Sequence, residues 1–121
     1  MGGTWSGTGS DSFSPELVRL VITQGDQSVS GTADLDAVDA TDGSCGSCHK
    51  VKRGTLSGSV SGNSVTLQLR FPPGGNVPTP ICDTSLLATA TVASGRLTGT
   101  YTGTDSCEGT YTNGVLELTR Q

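Results

Sequence analysis

The chain has 121 residues and a formal net charge of −4, and only 15% of its residues are charged. Gly (18), Ser (15) and Thr (18) together supply 51 of the 121 positions, whereas residues that favour long helices are scarce. This composition excludes a coiled coil, and the negative charge argues against a nucleic-acid-binding protein, which would need a basic face. No transmembrane segment is predicted, because no run of about 20 apolar residues occurs.

Apolar and polar residues alternate along several segments, which predicts β-strands rather than a disordered Gly/Ser/Thr-rich chain. From Ser64 to Phe71, every second residue is apolar and the residues between are polar. Such a period of two is typical of an antiparallel strand with one buried face. Eight strands are predicted in chain order: Gly3–Gly9, Glu16–Thr23, Ser28–Asp36, Gly54–Ser61, Ser64–Phe71, Ser85–Ala93, Arg96–Gly103 and Cys107–Arg120.

Short turns join most of the predicted strands, and two longer connections are predicted at residues 37–53 and 72–84. The second of these holds four of the five prolines, and the last strand is expected to be broken or bulged at Asn113-Gly114. Eight sequential strands without a helix predict an all-β chain with a single domain at residues 1–121. We expect a closed or nearly closed antiparallel up-and-down β-barrel, with a sandwich as the alternative.

Glycine recurs at inward positions of the predicted strands, in the pattern apolar–hydroxyl–Gly–hydroxyl around Gly7, Gly31, Gly58 and Gly99. An inward glycine allows a strand to bend sharply, which is what closing a small sheet into a barrel requires. With so many small inward residues, the interior is expected to be either a small cavity or a barrel whose walls collapse together.

The two ends of the chain carry a further pattern. Gly3-Thr4-Trp5 begins the first strand, and Arg120 ends the last one. This resembles the calycin superfamily of lipocalin and avidin-like barrels, in which an Arg of the last strand lies across the Trp of a Gly-x-Trp motif. The resemblance implies a structural stack between Trp5 and Arg120. It does not extend to biotin, because avidin-like pockets use several tryptophans and this chain has one.

Four cysteines in a small Ser/Thr-rich β-protein predict an oxidising, extracytoplasmic location: periplasmic, surface-tethered or secreted. In a meander the sixth and eighth strands flank the seventh, so Cys82 and Cys107 are predicted to meet as a disulfide. The broader pattern is similar to that of small bacterial exported lipoprotein domains.

The segment Cys45-Gly46-Ser47-Cys48-His49 matches the C-x-x-C-H pattern of covalent haem c attachment. In that interpretation Cys45 and Cys48 bind the vinyl groups and His49 is the axial ligand, while Lys50, Lys52 and Arg53 could meet the propionates. The alternative is that Cys45 and Cys48 form structural disulfides, with no cofactor.

Catalytic groups are too few for an enzyme: there is one His, and neither a G-x-S-x-G motif nor paired Glu residues occur. No catalytic or metal-binding residue is therefore predicted. We expect a non-catalytic exported β-barrel with a binding or surface-structural role, whose partner is a small molecule or a cell-surface molecule. A ligand pocket is predicted near Phe71 and Tyr101, at an open end of the barrel. A monohaem c-type electron carrier is the alternative function.

Overall fold

A computed structural model describes residues 1–10, 15–37, 51–72, 76–77, 83–106 and 109–121. These residues form nine strands: β1 (Gly3–Ser10), β2 (Pro15–Gly25), β3 (Ser28–Ala37), β4 (Val51–Ser61), β5 (Ser64–Phe71), β6 (Asn76–Val77), β7 (Thr84–Ala93), β8 (Arg96–Asp105) and β9 (Gly109–Arg120). Within these ranges there is no helix that is long and apolar enough to cross a membrane.

Eight of the strands form a closed antiparallel barrel. The hydrogen-bonded order is β3-β2-β1-β9-β8-β7-β5-β4, and a further β3–β4 pairing closes the ring. Each barrel strand therefore pairs with its neighbours along the chain, and β1 pairs with β9. The two-residue β6 pairs with the start of β4. The predicted all-β up-and-down barrel of eight strands is confirmed.

The two long connections are shorter than predicted. β3 continues to Ala37 and β4 already begins at Val51, so the first connection comprises residues 38–50. The second contains β6 and ends before Thr84. Lys52 and Arg53 fall within the predicted connection at residues 37–53. In the structure the two residues continue the alternation of β4, with Lys52 inward and Arg53 outward.

A β-bulge interrupts β9 near the predicted Asn113-Gly114 position. The pairing with β8 shifts between Tyr101, opposite Gly114, and Gly103, opposite Tyr111. Asn113 has a φ of 55°, a left-handed conformation that Asn tolerates better than most residues. Because the bulge adds one residue, Tyr111 and Gly114 both face the interior despite their opposite parity.

Inward glycines lie where neighbouring strands approach too closely for a side chain. A Cβ added at Gly58 would overlap the carbonyl oxygen of Thr66 on β5, and one added at Gly99 would overlap that of Thr89 on β7. The strand is so strongly coiled at these points that the Cβ direction meets the backbone of the next strand. Glycine therefore permits the curvature that closes the barrel.

The interior is filled by side chains from all eight barrel strands. Trp5, Leu20, Leu67, Leu97 and Leu118 are fully buried there, together with many smaller apolar residues. The outward positions of the same strands carry mostly Ser and Thr. The alternation that predicted the strands thus also separates a packed apolar core from a hydroxyl-rich surface.

The two ends of the barrel differ in how their strands are connected. At one end, here called the turn end, three two-residue turns join β2–β3, β4–β5 and β7–β8 at residues 26–27, 62–63 and 94–95. Ser94 (φ 52°) and Gly95 (φ 75°) both have the positive φ of a type I′ hairpin turn. The opposite end, the loop end, receives the connections 11–14, 38–50, 72–83 and 106–108.

Candidate functional site at the loop end

Four polar side chains are buried at the loop end of the barrel. Glu16, Lys52, Thr84 and Asp105 are each at most 4% exposed, and each lies within two residues of the end of its strand. They come from β2, β4, β7 and β8, so the cluster gathers strands from around the ring. Buried ionisable groups are rarely tolerated without compensating contacts, which makes this cluster the most distinctive chemistry in the described residues.

Lys52 and Asp105 form a buried ion pair across the barrel interior. Lys52 Nζ donates to Asp105 Oδ2 at 3.3 Å, and the two side chains are 2% and 0% exposed. The hydroxyl of Thr84 donates to the same carboxylate oxygen. β4 and β8 are separated by β5 and β7, so this contact depends on side chains that reach across the interior.

A second buried pair joins Tyr101 of β8 to Glu16 of β2. The Tyr101 hydroxyl donates to Glu16 Oε1 at 3.0 Å. Two glycines make room for this ring: a Cβ at Gly114 would lie 2.6 Å from Tyr101 Cδ1, and one at Gly9 would lie 3.5 Å from Cε1. The ring therefore passes over β9 and β1, whose backbones lie between the two partners.

A small cavity of about 20 Å³ lies beneath this second pair. Such a volume is comparable to one or two water molecules and is far below that of a pocket for a drug-sized ligand. Glu16 and Tyr101 supply the polar groups of its wall. The remaining lining is apolar and comprises Val18, Leu20, Leu35, Leu69, Leu86, Ala88 and Leu116.

The two residues predicted to line a ligand pocket are both buried in the structure. Tyr101 is 3% exposed and forms part of the cavity wall. Phe71 is fully buried and packs against β4, where its Cδ1 would lie 2.8 Å from a Cβ built on Gly54. Both residues belong to the closed interior beneath the loop end, so a ligand that contacts them must first open the packing there.

The C-x-x-C-H motif lies outside the described residues. The same is true of Cys82 and Cys107, so haem attachment and the disulfide pairing stay predictions. Two cations that the haem interpretation placed beside the propionates are described. Lys52 points into the barrel toward Asp105, and Arg53 contacts Asp34 (3.6 Å) and Asp36 (3.1 Å) on the outer surface. Each of the two basic side chains therefore already contacts a carboxylate of this chain.

At the turn end, Arg120 lies over the ring of Trp5, with Cζ 5.8 Å from the ring centroid. Trp5 is 1% exposed and donates from Nε1 to the carbonyl of Met1 at 2.8 Å. The guanidinium of Arg120 also donates to the carbonyl of Gly2. Trp5 and Arg120 are opposite each other in the β1–β9 pairing, so the stack joins the first and last strands.

The buried polar cluster was missed by the sequence analysis, although a signal for it exists. Each member has the parity of the inward residues on its strand: Glu16 shares the parity of Val18 and Leu20, and Asp105 shares that of Tyr101. The predicted strand Glu16–Thr23 already contains Glu16, whereas Lys52, Thr84 and Asp105 lie just beyond the predicted strand ends. Applying the period of two to these positions places all four polar side chains inside.

The cluster is chemically an anchor rather than an exposed reaction centre. Its ionisable side chains are withdrawn from solvent and engage partners on other strands. Among the described residues no group of three or more His, Cys, Asp or Glu side chains is arranged to hold a metal ion.

Comparison of the chain with protein-family models, curated proteins and solved structures finds no match.

Proposed function

We propose that the chain is a non-catalytic exported binding module that uses its rigid barrel to present the connections at the loop end. The observation that carries this proposal is the asymmetry of the barrel. Four connections, including the two longest, lie at one end of the barrel. Buried polar pairs directly below that end hold the strands together. Rigid scaffolds that display variable loops at one end are a common arrangement for recognition.

The packed interior supports recognition outside the barrel lumen. The cavity of about 20 Å³ is too small for an organic ligand, and most of its wall consists of tightly packed aliphatic side chains. A small molecule or a cell-surface partner would therefore bind outside the lumen, and the loop end is the surface that we assign to it. Because Tyr101 and Phe71 lie directly below, they would support the binding surface rather than contact the ligand.

We further propose a calycin-like placement for the barrel and an extracytoplasmic location. The first is supported by the contact between Trp5 and Arg120, which joins β1 to β9 as the resemblance implies. The second is supported by the four cysteines, each of which occurs in a segment of the sequence that connects two barrel strands. Disulfides there would fix the long connections to one another.

The proposal is tested by mapping binding with amide NMR spectra. Isotope-labelled protein is titrated with a library of small organic fragments and soluble oligosaccharides, and shifted amides are assigned. We expect perturbed amides to cluster beside Glu16, Lys52 and Asp105, while those of Gly62 and Gly95 at the turn end stay unchanged. Binding that maps to the turn end, or a library without any binder, would contradict the proposal.

Two variants give the titration a matched control. Replacing residues 38–50 by a short Gly/Ser linker should abolish binding. Inserting the same Gly/Ser linker between Gly62 and Asn63 at the turn end should leave binding unchanged. Far-UV circular dichroism checks that both retain the barrel.

An absorbance spectrum of protein from its native host is recorded in parallel. A Soret band that persists covalently under denaturant would overturn the cofactor-free proposal and establish the haem c alternative.

A further inference from the structure

We propose that Lys52 and Asp105 are a modification site at which the barrel forms an intramolecular isopeptide bond between β4 and β8. Lys52 Nζ lies 3.3 Å from Asp105 Oδ2, so the amine already contacts the carboxyl group that would acylate it. The two residues are 53 positions apart, on strands that are not paired with each other in the sheet. The bond would be a covalent tie across the barrel interior.

The pair is enclosed within the barrel. The side chains are 2% and 0% exposed, so neither charge is hydrated by bulk water. The reaction begins when the Lys52 ammonium passes one proton to the Asp105 carboxylate that it already contacts. This transfer removes two buried charges and leaves an amine that can attack and a carboxyl group that can release water.

Thr84 supplies a hydrogen-bond donor at the position where the condensation needs one. Its hydroxyl donates to Oδ2 of Asp105, and Thr84 is itself fully buried. When Nζ attacks Cγ, negative charge develops on a carboxyl oxygen. A fixed donor in a site removed from water stabilises that charge. Thr84 and Asp105 are directly opposite each other in the β7–β8 pairing, so the donor is held by the sheet.

The step balances without any other reactant. The Nζ lone pair of Lys52 forms a bond to Cγ of Asp105, and the bond from Cγ to Oδ1 breaks. Oδ1 leaves as water with its own proton and one proton from Nζ, while Oδ2 becomes the amide carbonyl oxygen. Holding amine and acid in contact replaces a bimolecular encounter by an intramolecular one, and burial keeps bulk water from reversing the reaction.

Intact mass spectrometry of the reduced and denatured chain tests this proposal. We expect a mass lower than that of the sequence by one water molecule. In a tryptic digest, cleavage after Lys52 should be lost, and one peptide should contain Lys52 joined to Asp105. A chain with the full calculated mass, cleaved normally after Lys52, would overturn the proposal. This decisive measurement uses the unaltered protein, so it does not depend on whether any variant folds.

Variants separate this bond from dehydration elsewhere. Asp105→Ala and Lys52→Arg should restore the full mass, and Asp83→Asn, which alters the exposed pair with Arg70, should leave the deficit unchanged. Asp105→Asn should still react but release ammonia, giving a product with the same mass as the wild-type product. Thr84→Val should convert more slowly after refolding. A deficit that persists in Asp105→Ala would overturn the assignment.

Discussion

The two ends of the barrel are closed by different means. At the turn end, short hairpins and the chain termini cover the core, and the Trp5–Arg120 stack joins the first strand to the last. At the loop end, two of the four connections are long, and side chains reach across the interior to hold the strand ends: Lys52 to Asp105, and Tyr101 to Glu16. One end is fixed mainly by local backbone geometry and the other by long-range polar pairs.

This difference follows from the connections themselves. A two-residue turn fixes the register and spacing of its two strands, so the core beneath it can be purely apolar. A connection of a dozen residues fixes neither, and the strand ends need another constraint. Buried polar pairs supply it because they are satisfied in only one arrangement of the strands. We therefore expect the free energy of unfolding to fall more when a polar residue is replaced at the loop end than when one is replaced at the turn end.

The largest expected effect is at the loop end. Asp105→Ala removes the carboxylate that faces Lys52 and that accepts the Thr84 hydroxyl. Removing one partner of a buried pair costs about 3–5 kcal/mol of unfolding free energy, and loss of the proposed covalent bond between the same residues would add to that cost. Urea denaturation monitored by circular dichroism measures this loss. Asp83→Ala is the matched control, since its partner Arg70 is exposed, and it should cost less than about 1 kcal/mol. Equal losses in the two variants would contradict the asymmetry.

The second pair at the loop end should contribute less to stability, because the donor Tyr101 is an uncharged side chain. Tyr101→Phe keeps the ring above Gly9 and Gly114 but removes the donor to Glu16 Oε1. Leaving a buried acceptor without that donor costs about 1–3 kcal/mol. A double-mutant cycle with Glu16→Leu isolates the contact, and we expect a coupling of at least about 0.5 kcal/mol. Strict additivity would show that the two residues do not stabilise each other.

Much of this architecture could be predicted from the sequence because it depends on local pattern. The alternation along Ser64–Phe71 defines both the strand and its buried face, and Asn113-Gly114 marks the bulge through its backbone preferences. The contact between Lys52 and Asp105 has no such local signature. It depends on which inward residues meet across a barrel of this width, and that is decided by the closure and coiling of all eight strands together.

The cavity illustrates the same limit. The inward glycines and alanines indicated either a small cavity or collapsed walls, and both outcomes contribute: the walls pack closely and leave about 20 Å³ near Glu16. Composition could not decide between them, because the volume of the cavity depends on where the aromatic side chains lie in the interior. Tyr101 fills the space above Gly9 and Gly114, and no property of those three residues taken separately predicts that they adjoin.

At the turn end, Arg120→Ala should have a smaller effect than either loop-end substitution in the polar pairs. Arg120 is exposed, and a cation over an indole ring contributes about 0.5–2 kcal/mol. We expect a lower melting temperature by differential scanning calorimetry, with Arg120→Lys intermediate because it keeps the charge but not the planar guanidinium. If Arg120→Ala melts like the wild type, the stack does not stabilise the barrel, which would count against the calycin-like placement.

The smallest expected effect comes from the residue next to Lys52. Arg53 carries the same charge, but the alternation of β4 directs it outward, where it contacts Asp34 and Asp36 and is about half exposed at 47%. Exposed ion pairs contribute less than about 1 kcal/mol and are screened by salt. Arg53→Ala should therefore lower the unfolding free energy slightly in dilute buffer and not measurably in 1 M NaCl. Because Lys52 is buried, the effect of Lys52→Ala should remain large at both salt concentrations. The two adjacent basic residues would then differ in salt dependence because one points into the barrel and the other points out of it. A similar salt dependence for both would show that the contact between Lys52 and Asp105 is accessible to ions from solvent.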